Sequence, residues 1–359
     1  MKILLLGEYS GVHSNLKRAL LRLGHDVVMA SDGDSFKSFS REIDLKGYGA
    51  NKFTRTISRV VNEFKAIDKI SGFDVVQIIN PLIFSQFTPE KYFFKQIIRT
   101  NKKVFLTALG DDYYFWKAFR ENKFRYTPLD GYLKVDIKQN KSNWEYGRLK
   151  DLTEFLSHEV NAVIPCAYTY HVGYETAEVD LTNTIPFPIE IGEITMSPSS
   201  VGNGKIKFLH GIQTKRMGFK GSHLVNEAMG KLQDRYPDLV EYIVVRDMPY
   251  EDYLKVLQTA TVVIDQVNSY EPAMNALISM AMGKVVMGGC EPEWMRHIGL
   301  NYEPLINILP DVNDIYQQGE RLVLNPDLIS VYSINARRFV EDYHDSNKVA
   351  KQFVEIWSA

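Results

Sequence analysis

Residues 210–225, "HGIQTKRMGFKGSHLV", bring three glycines (Gly211, Gly218, Gly221) and three cations (Lys215, Arg216, Lys220) into one short stretch. The stretch lies between an apolar run, "KIKFL", and a helical pattern that begins near Ser222. Glycine lets backbone approach an anion closely, Arg and Lys neutralise phosphate charge, and a helix start offers N–H groups. A strand-to-helix junction built this way suits a diphosphate, with Ser222 as the expected helix cap. A solvated turn carrying scattered charge would use the same letters. The pattern is not a Walker loop, whose lysine follows the last glycine and precedes Ser or Thr.

Three other stretches carry groups that do chemistry. In "NSYEPAMNALISMAMGKVVMGG", residues 268–289, Pro272 suits a first helical turn and Gly283 a helix end. Ser269, Tyr270 and Glu271, followed by Met274 and Asn275, would then face the same crevice as the basic stretch; a buried helix with a polar start is the plainer reading. "GEYSGVHSNLKRALLRLGHDV" has Gly7 and Gly11 spaced as GxxxG, so the GxGxxG dinucleotide fingerprint is absent. Gly11 and His13 would lie at the end of the first strand, where His13 orients a bound group or is simply an exposed loop histidine. "TALGDD" sets Asp111 and Asp112 beyond another strand, where a carboxylate accepts a hydroxyl proton or binds hydroxyl groups.

These groups need a scaffold, and the chain spells one out. Short apolar runs alternate with helical patterns: "KILLL", "DVVMA", "DVVQII", "KVFLTA" and "AVIP", then "KIKFL", "EYIVV", "TVVID" and "KVVMG". Continuous apolar runs mean burial on both faces, the mark of parallel strands under helices. The alternation predicts a doubly wound α/β architecture. A chain of 359 residues exceeds one ordinary core. The stretch 183–205, with three prolines, three glycines and a serine cluster, is the expected boundary. The predicted division is residues 1–188, residues 189–340, and a closing amphipathic helix over 341–359 that packs back toward the first half.

Bulk properties remove several classes of function. A formal charge of −2 gives no whole-molecule attraction to nucleic acid, so no nucleic-acid partner is expected. Two cysteines build neither a disulfide framework nor a metal cage, and the eight histidines never fall at metal-ligand spacing, so no metal site is expected. No run of 18 apolar residues occurs, and the N-terminal apolar run is too short for a signal peptide, which predicts a cytoplasmic protein. "DDYYFWKAFRENKFRY", residues 111–126, mixes aromatic rings with cations. That mixture fits peripheral contact with the inner face of a membrane, and equally a partly buried helix with a solvated basic face.

The order of "KRMGFKG", "YPDLVEYIVVRDMPYEDYLKVLQTATVVIDQ" and "NALISMAMGKVVMGG" resembles the nucleotide-sugar half of a GT-B glycosyltransferase. The likeness is to the large family of retaining bacterial sugar transferases of glycosyltransferase group 1 type, good over residues 205–300 and looser before. It implies two Rossmann-like domains facing each other across a cleft, with an acceptor-side N-terminal domain and a nucleotide-sugar-binding C-terminal one. In that family an Arg/Lys pair binds the donor diphosphate, which maps to Arg216 and Lys220, with Lys215 as a substitute for Arg216. The resemblance implies donor-side roles for Gly211, Lys215, Arg216, Lys220, Gly221, Ser269, Tyr270, Glu271, Met274 and Asn275. It implies an acceptor side at Gly11 and His13; the candidate catalytic residues, taken from their places after strands, are His13, Asp111 and Asp112.

The chain departs from the family at one place. The family carries two glutamates before its "AMA.G"-type segment, and those positions here are Tyr270 and Ile278. Glu271 lies one place along, and the residue eight later is Ser279. The implied function is transfer of a sugar from a nucleotide-sugar donor to a polysaccharide or lipid-linked acceptor in bacterial surface glycan synthesis. The nucleotide sugar is substrate, and no cofactor is expected. A noncatalytic sugar-nucleotide binder and a nucleotide-sugar epimerase are the alternatives.

Overall fold

A computed structural model describes residues 1–34, 37–128, 130, 143–201 and 204–359. The chain divides into two compact units: Met1–Lys123, Ser142–Pro188 and Asp345–Ala359 form the first, and Phe124–Lys141 with Ile189–His344 the second.

The first unit holds β1 (Lys2–Leu6), β2 (Asp26–Ser31), β3 (Ile43–Asp44), β4 (Val75–Ile78), β5 (Lys103–Ala108) and β6 (Ala162–Pro165). Its helices are α1 (Val12–Arg22), α2 (Lys52–Ala66), α3 (Glu90–Thr100), α4 (Tyr113–Arg120), α5 (Gly147–Glu159) and α6 (Tyr168–Tyr174). Among the described residues the strands pair in parallel in the order β3-β2-β1-β4-β5-β6. That order reverses direction between β1 and β4, which makes their carboxyl ends the place where a doubly wound sheet opens a crevice. Ile3, Leu5, Leu16, Leu20 and Phe105 form the core on one face of the sheet.

The second unit contains β7 (Ile206–Ile212), α7 (Met217–Lys220), α8 (Ser222–Arg235), β8 (Val240–Arg246), α9 (Tyr250–Thr259), β9 (Val262–Ile264), α10 (Met274–Ala281) and β10 (Val285–Gly288). It ends with α11 (Pro292–His297), β11 (Ile306–Asn307), α12 (Val312–Leu324) and α13 (Asp327–Phe339). The parallel order is β11-β10-β9-β7-β8 among the described residues, so the reversal falls between β7 and β9. Phe208, Val225, Leu232, Val262 and Val285 lie in its core. The doubly wound α/β class expected from the strand runs is therefore what the chain forms, twice.

The last helix, α14 (Ser346–Ser358), follows the second unit in sequence and packs on α1 of the first. Val349, Phe353 and Trp357 complete that unit's core. The Trp357 indole N–H donates to Gln77 Oε1 at 3.0 Å, and Gln77 Nε2 donates to Thr107 Oγ1 at 2.8 Å. These buried polar groups satisfy one another, as a close-packed interior requires.

Candidate functional site

The basic stretch after β7 is folded more tightly than a glycine-rich loop. Thr214–Arg216 makes a 3-10 turn and Met217–Lys220 one α-helical turn before α8 begins. The hinge between α7 and α8 is Gly221, at φ +70°. A Cβ there would meet Val267 Cγ2 at 2.2 Å, so position 221 admits glycine for both backbone and space. Gly221, not Ser222, is the N-cap of α8, and no side chain caps it. Ser222 is already the first helical residue and is buried. This corrects the expected Ser222 cap.

At the β7/β9 reversal, Lys220 and Asp265 approach from opposite sides. Lys220 Nζ lies 3.9 Å from Asp265 Oδ1, and the Asp265 side chain is 4% exposed. Asn275 Nδ2 is 3.5 Å from the same oxygen, while Asp265 Oδ2 is buried without a hydrogen-bond partner. A buried carboxylate held by one long ion pair is costly, so a further donor or cation would be stabilised there. Asn268 braces the helical turn by donating to the Phe219 carbonyl at 3.1 Å. Arg216 lies over the Phe219 ring, 4.6 Å from its centroid. Lys215 feels the carboxylate of Asp247, whose own proton affinity is lowered chiefly by its bonds to Thr214. Gly211, in β7, sits against the Tyr253 ring, where an added Cβ would approach to 3.0 Å.

The rest of the predicted donor set falls along the adjoining loop. Helix α10 starts at Met274 with Ala273 as its N-cap, so Pro272 precedes the helix and is not in its first turn. Ser269 Oγ donates to the Glu271 carbonyl at 2.8 Å, and Glu271 is buried. Gly289 makes this loop possible: a Cβ on it would fall 2.0 Å from the Ser269 carbonyl oxygen. Tyr270 is committed elsewhere. Its hydroxyl accepts from the Arg125 backbone N–H at 2.6 Å, and its ring packs on Phe124 and Tyr126.

The Arg125 guanidinium reaches Glu291 and Glu293, and Tyr126 Oη donates to Glu291 Oε1 at 2.6 Å. Asn307 Nδ2 adds a third donor to Glu291 at 3.0 Å. Beside this network is a cavity of about 450 Å³ lined by Arg125, Glu291, Glu293, Arg296, Asn307 and Asp314, among others; no residue of the predicted donor set lines it. Ile278, at the second glutamate position, is a half-buried residue of α10.

In the first unit the β1/β4 reversal is closed by the chain's own groups. Glu8 accepts from the Gly11 N–H at 3.0 Å and from the Ser14 N–H and hydroxyl at 2.8 and 2.6 Å, which fills the start of α1 with a carboxylate. Gly11 is the N-cap at φ +86°. His13 is not an exposed loop residue: it is 1% exposed. Its Nδ1 is 2.8 Å from the Gly7 carbonyl, which only accepts, so Nδ1 carries the proton. Burial lowers its pKa to about 4, leaving Nε2 an acceptor, and Nε2 has no partner.

Asp112 is held by structural bonds. It is fully buried, caps α4 through the Phe115 N–H at 2.8 Å and accepts from Tyr174 Oη at 2.8 Å. Burial, only partly offset by these bonds, raises its pKa to about 6. Asp111 is half-buried beside it. With Asp32 and Asp34 it surrounds Tyr9, whose phenol burial and these carboxylates hold well above its ordinary pKa. Of the two readings of residues 111–126, the structure favours the partly buried helix. Tyr114, Phe115, Trp116, Phe119 and Phe124 are buried there, while Tyr113 and Tyr126 are half-buried.

Sequence reading named the cations and the polar stretch that begins at Asn268, but not Asp265 or the Arg125–Tyr126–Glu291–Asn307 network. An acid closing "TVVID" was the available signal for Asp265. Nothing local relates Arg125 to Glu291, 166 residues away.

No protein-family model and no curated protein sequence matches the chain. Solved structures do. Sucrose-phosphate synthase from Thermosynechococcus elongatus is 14% identical with a TM-score of 0.67, covering 100% of this chain and 98% of its own. HepE from Anabaena, solved in complex with UDP and glucose, is 14% identical with a TM-score of 0.59 and full coverage of both chains. A putative UDP-N-acetylglucosamine 2-epimerase from Listeria monocytogenes is 10% identical with a TM-score of 0.56, covering 99% of this chain and 95% of its own. The chain thus has the GT-B fold, with two Rossmann-like domains, that it shares with these structures.

Proposed function

We propose that the protein is a glycosyltransferase that takes a sugar from a nucleotide diphosphate donor and passes it to a glycan or lipid-linked acceptor. The observation that carries this reading is the cationic, glycine-hinged turn at the β7/β9 reversal, the position at which doubly wound sheets hold ligands. Lys220 and Arg216 neutralise the diphosphate, and the uncapped start of α8 adds N–H donors. Lys220 is free to turn from Asp265 to a phosphate because their 3.9 Å separation is longer than a hydrogen bond. Stabilising the departing diphosphate lowers the barrier to cleavage of the anomeric bond. In the first unit, half-buried Asp111 binds or deprotonates an acceptor hydroxyl, while His13, buried beneath, helps to hold the loop after β1 through its bond to the Gly7 carbonyl. HepE's UDP and glucose support a uridine nucleotide as the first donor to try.

A second reading rests on Tyr270 and Ile278. With an engaged tyrosine and an isoleucine where the resembled family has glutamates, the site binds a sugar nucleotide without turning it over. One experiment separates the readings: incubation with a panel of sugar nucleotides, with and without glycan acceptors, following nucleoside diphosphate release and the fate of the sugar. Acceptor-dependent release supports the transferase. Binding without release supports the binder, a changed sugar nucleotide without acceptor supports an epimerase, and absence of binding overturns all three.

A further inference from the structure

Helix α2 presents its apolar side to solvent. Phe53, Ile57, Val61 and Phe64 recur at spacings of four, four and three residues and so share one face. Phe53 is 73% exposed and the other three are exposed between 43% and 48%. The polar side is the one that holds the helix to its unit. Asn62 donates to the Lys46 carbonyl at 2.7 Å, and Arg59 donates to the Ile83 carbonyl at 2.9 Å while pairing at 2.8 Å with fully buried Glu63. An ordinary surface helix does the reverse, burying its apolar stripe. The patch continues onto α3, because Phe64 packs edge-on against Phe93, and Tyr92 beside Phe93 is 55% exposed.

The rim of this patch is basic. Between residues 52 and 70 the exposed charges are Lys52, Arg55, Lys65 and Lys69 against Asp68 alone. Lys91 and Lys95 of α3 are exposed as well. The occupant that matches an apolar row rimmed by cations is apolar below and anionic at its surface. We infer that the outer face of α2 docks on a membrane leaflet bearing anionic headgroups, with Phe53, Ile57, Val61 and Phe64 entering the interface and the lysines meeting the headgroups. A second copy of the chain fits less well, since a symmetric pairing would bring the same cations against each other. Among the described residues no helix is long and apolar enough to cross a membrane, so this contact lies in the surface plane. The inference rests on this outer face of α2 and the neighbouring residues of α3, and holds whichever reading of the catalytic site is correct.

The test is cosedimentation of the full chain with vesicles of phosphatidylcholine alone or mixed equally with phosphatidylglycerol. The wild type is expected to pellet with the anionic vesicles and to be released by raised salt. Phe53→Ser, Ile57→Ser and Phe64→Ser combined should reduce binding about tenfold or more. Lys52→Glu, Arg55→Glu and Lys65→Glu combined should abolish the preference for anionic vesicles. Unchanged thermal melting of both variants confirms that they fold. No pelleting of the wild type, or equal pelleting of the serine variant, overturns the inference. A wild-type dimer in light scattering that the serine variant loses, without vesicle binding, overturns it in favour of self-association.

Discussion

At the carboxyl edge of the first sheet, the groups nearest the reversal are acidic or already satisfied: Glu8 caps α1, Asp112 caps α4, and Asp32, Asp34 and Asp111 surround Tyr9. At the corresponding edge of the second sheet, three cations stand over a turn hinged at Gly221, and the carboxylate of Asp265 keeps one oxygen without a partner. The same layered architecture thus ends in different charge patterns, for at the first edge Asp34 and Asp32 are already paired with Lys37 and Arg59. At the first edge a carboxylate such as half-buried Asp111 can accept hydrogen bonds from neutral hydroxyl groups. The second carries the cations on which the proposed diphosphate site rests. Charge at the strand ends, not the fold, is what differentiates two halves of one molecule.

The most severe test of that contrast is the double change Arg216→Ala, Lys220→Ala. It should weaken nucleoside diphosphate binding about 1000-fold, roughly 4 kcal/mol, in titration calorimetry. Asp111→Ala, at the other edge, should leave that affinity within about twofold. Equal losses would erase the distinction between the edges. Next in size, Gly221→Ala should destabilise the second unit by about 3 kcal/mol in urea unfolding, combining left-handed backbone with the clash against Val267. Gly24→Ala is the control: it is also left-handed, at φ +82°, but has open space around it, so about 1 kcal/mol is expected. At the first edge, Tyr174→Phe strips a donor from buried Asp112 and should cost about 1–2 kcal/mol.

The smallest effect is on pH dependence. Burial lowers His13 and His210 from 6.5 to about 4. The unfolded chain therefore binds more protons than the folded one between those values, and their stabilisation is full above pH 6.5 and lost as pH falls toward 4. Asp112, raised from 3.8 to about 6, works the other way, since its destabilisation grows as pH rises through that window. Two histidines against one carboxyl leave a net fall in stability on acidification. Asp112→Asn should steepen that fall between pH 6 and 4, by an amount on the order of 1 kcal/mol, in thermal melts across pH. A flatter profile would mean that the first edge is not closed in the way its hydrogen bonds indicate.

Much of the fold could be read from apolar runs because parallel strands are buried on both faces. "KILLL", "KVFLTA" and "TVVID" each contain a strand of the sheets. The two-residue strands Ile43–Asp44 and Ile306–Asn307 carry too few side chains to make a pattern. At the site, the cations and Gly221 were legible because their chemistry is local. Ser222 misled because a serine before a helical pattern looks like a cap, while the left-handed glycine before it takes that position. Pro272 misled in the same way, standing ahead of the helix it was expected to open. His13 and Asp112 were misjudged because burial is set by distant segments: nothing beside Asp112 in sequence announces Tyr174.

The helix Ser346–Ser358 closes the core of a unit whose first strand is residues 2–6. A ribosome therefore finishes the entire second unit before it supplies Val349, Phe353 and Trp357 to the first. Until then Ile3, Leu5, Leu16 and Leu20 lack the partners that shield them. The half made first is the half completed last, and a nascent chain stalled anywhere before residue 346 presents that unfinished core to chaperones and proteases.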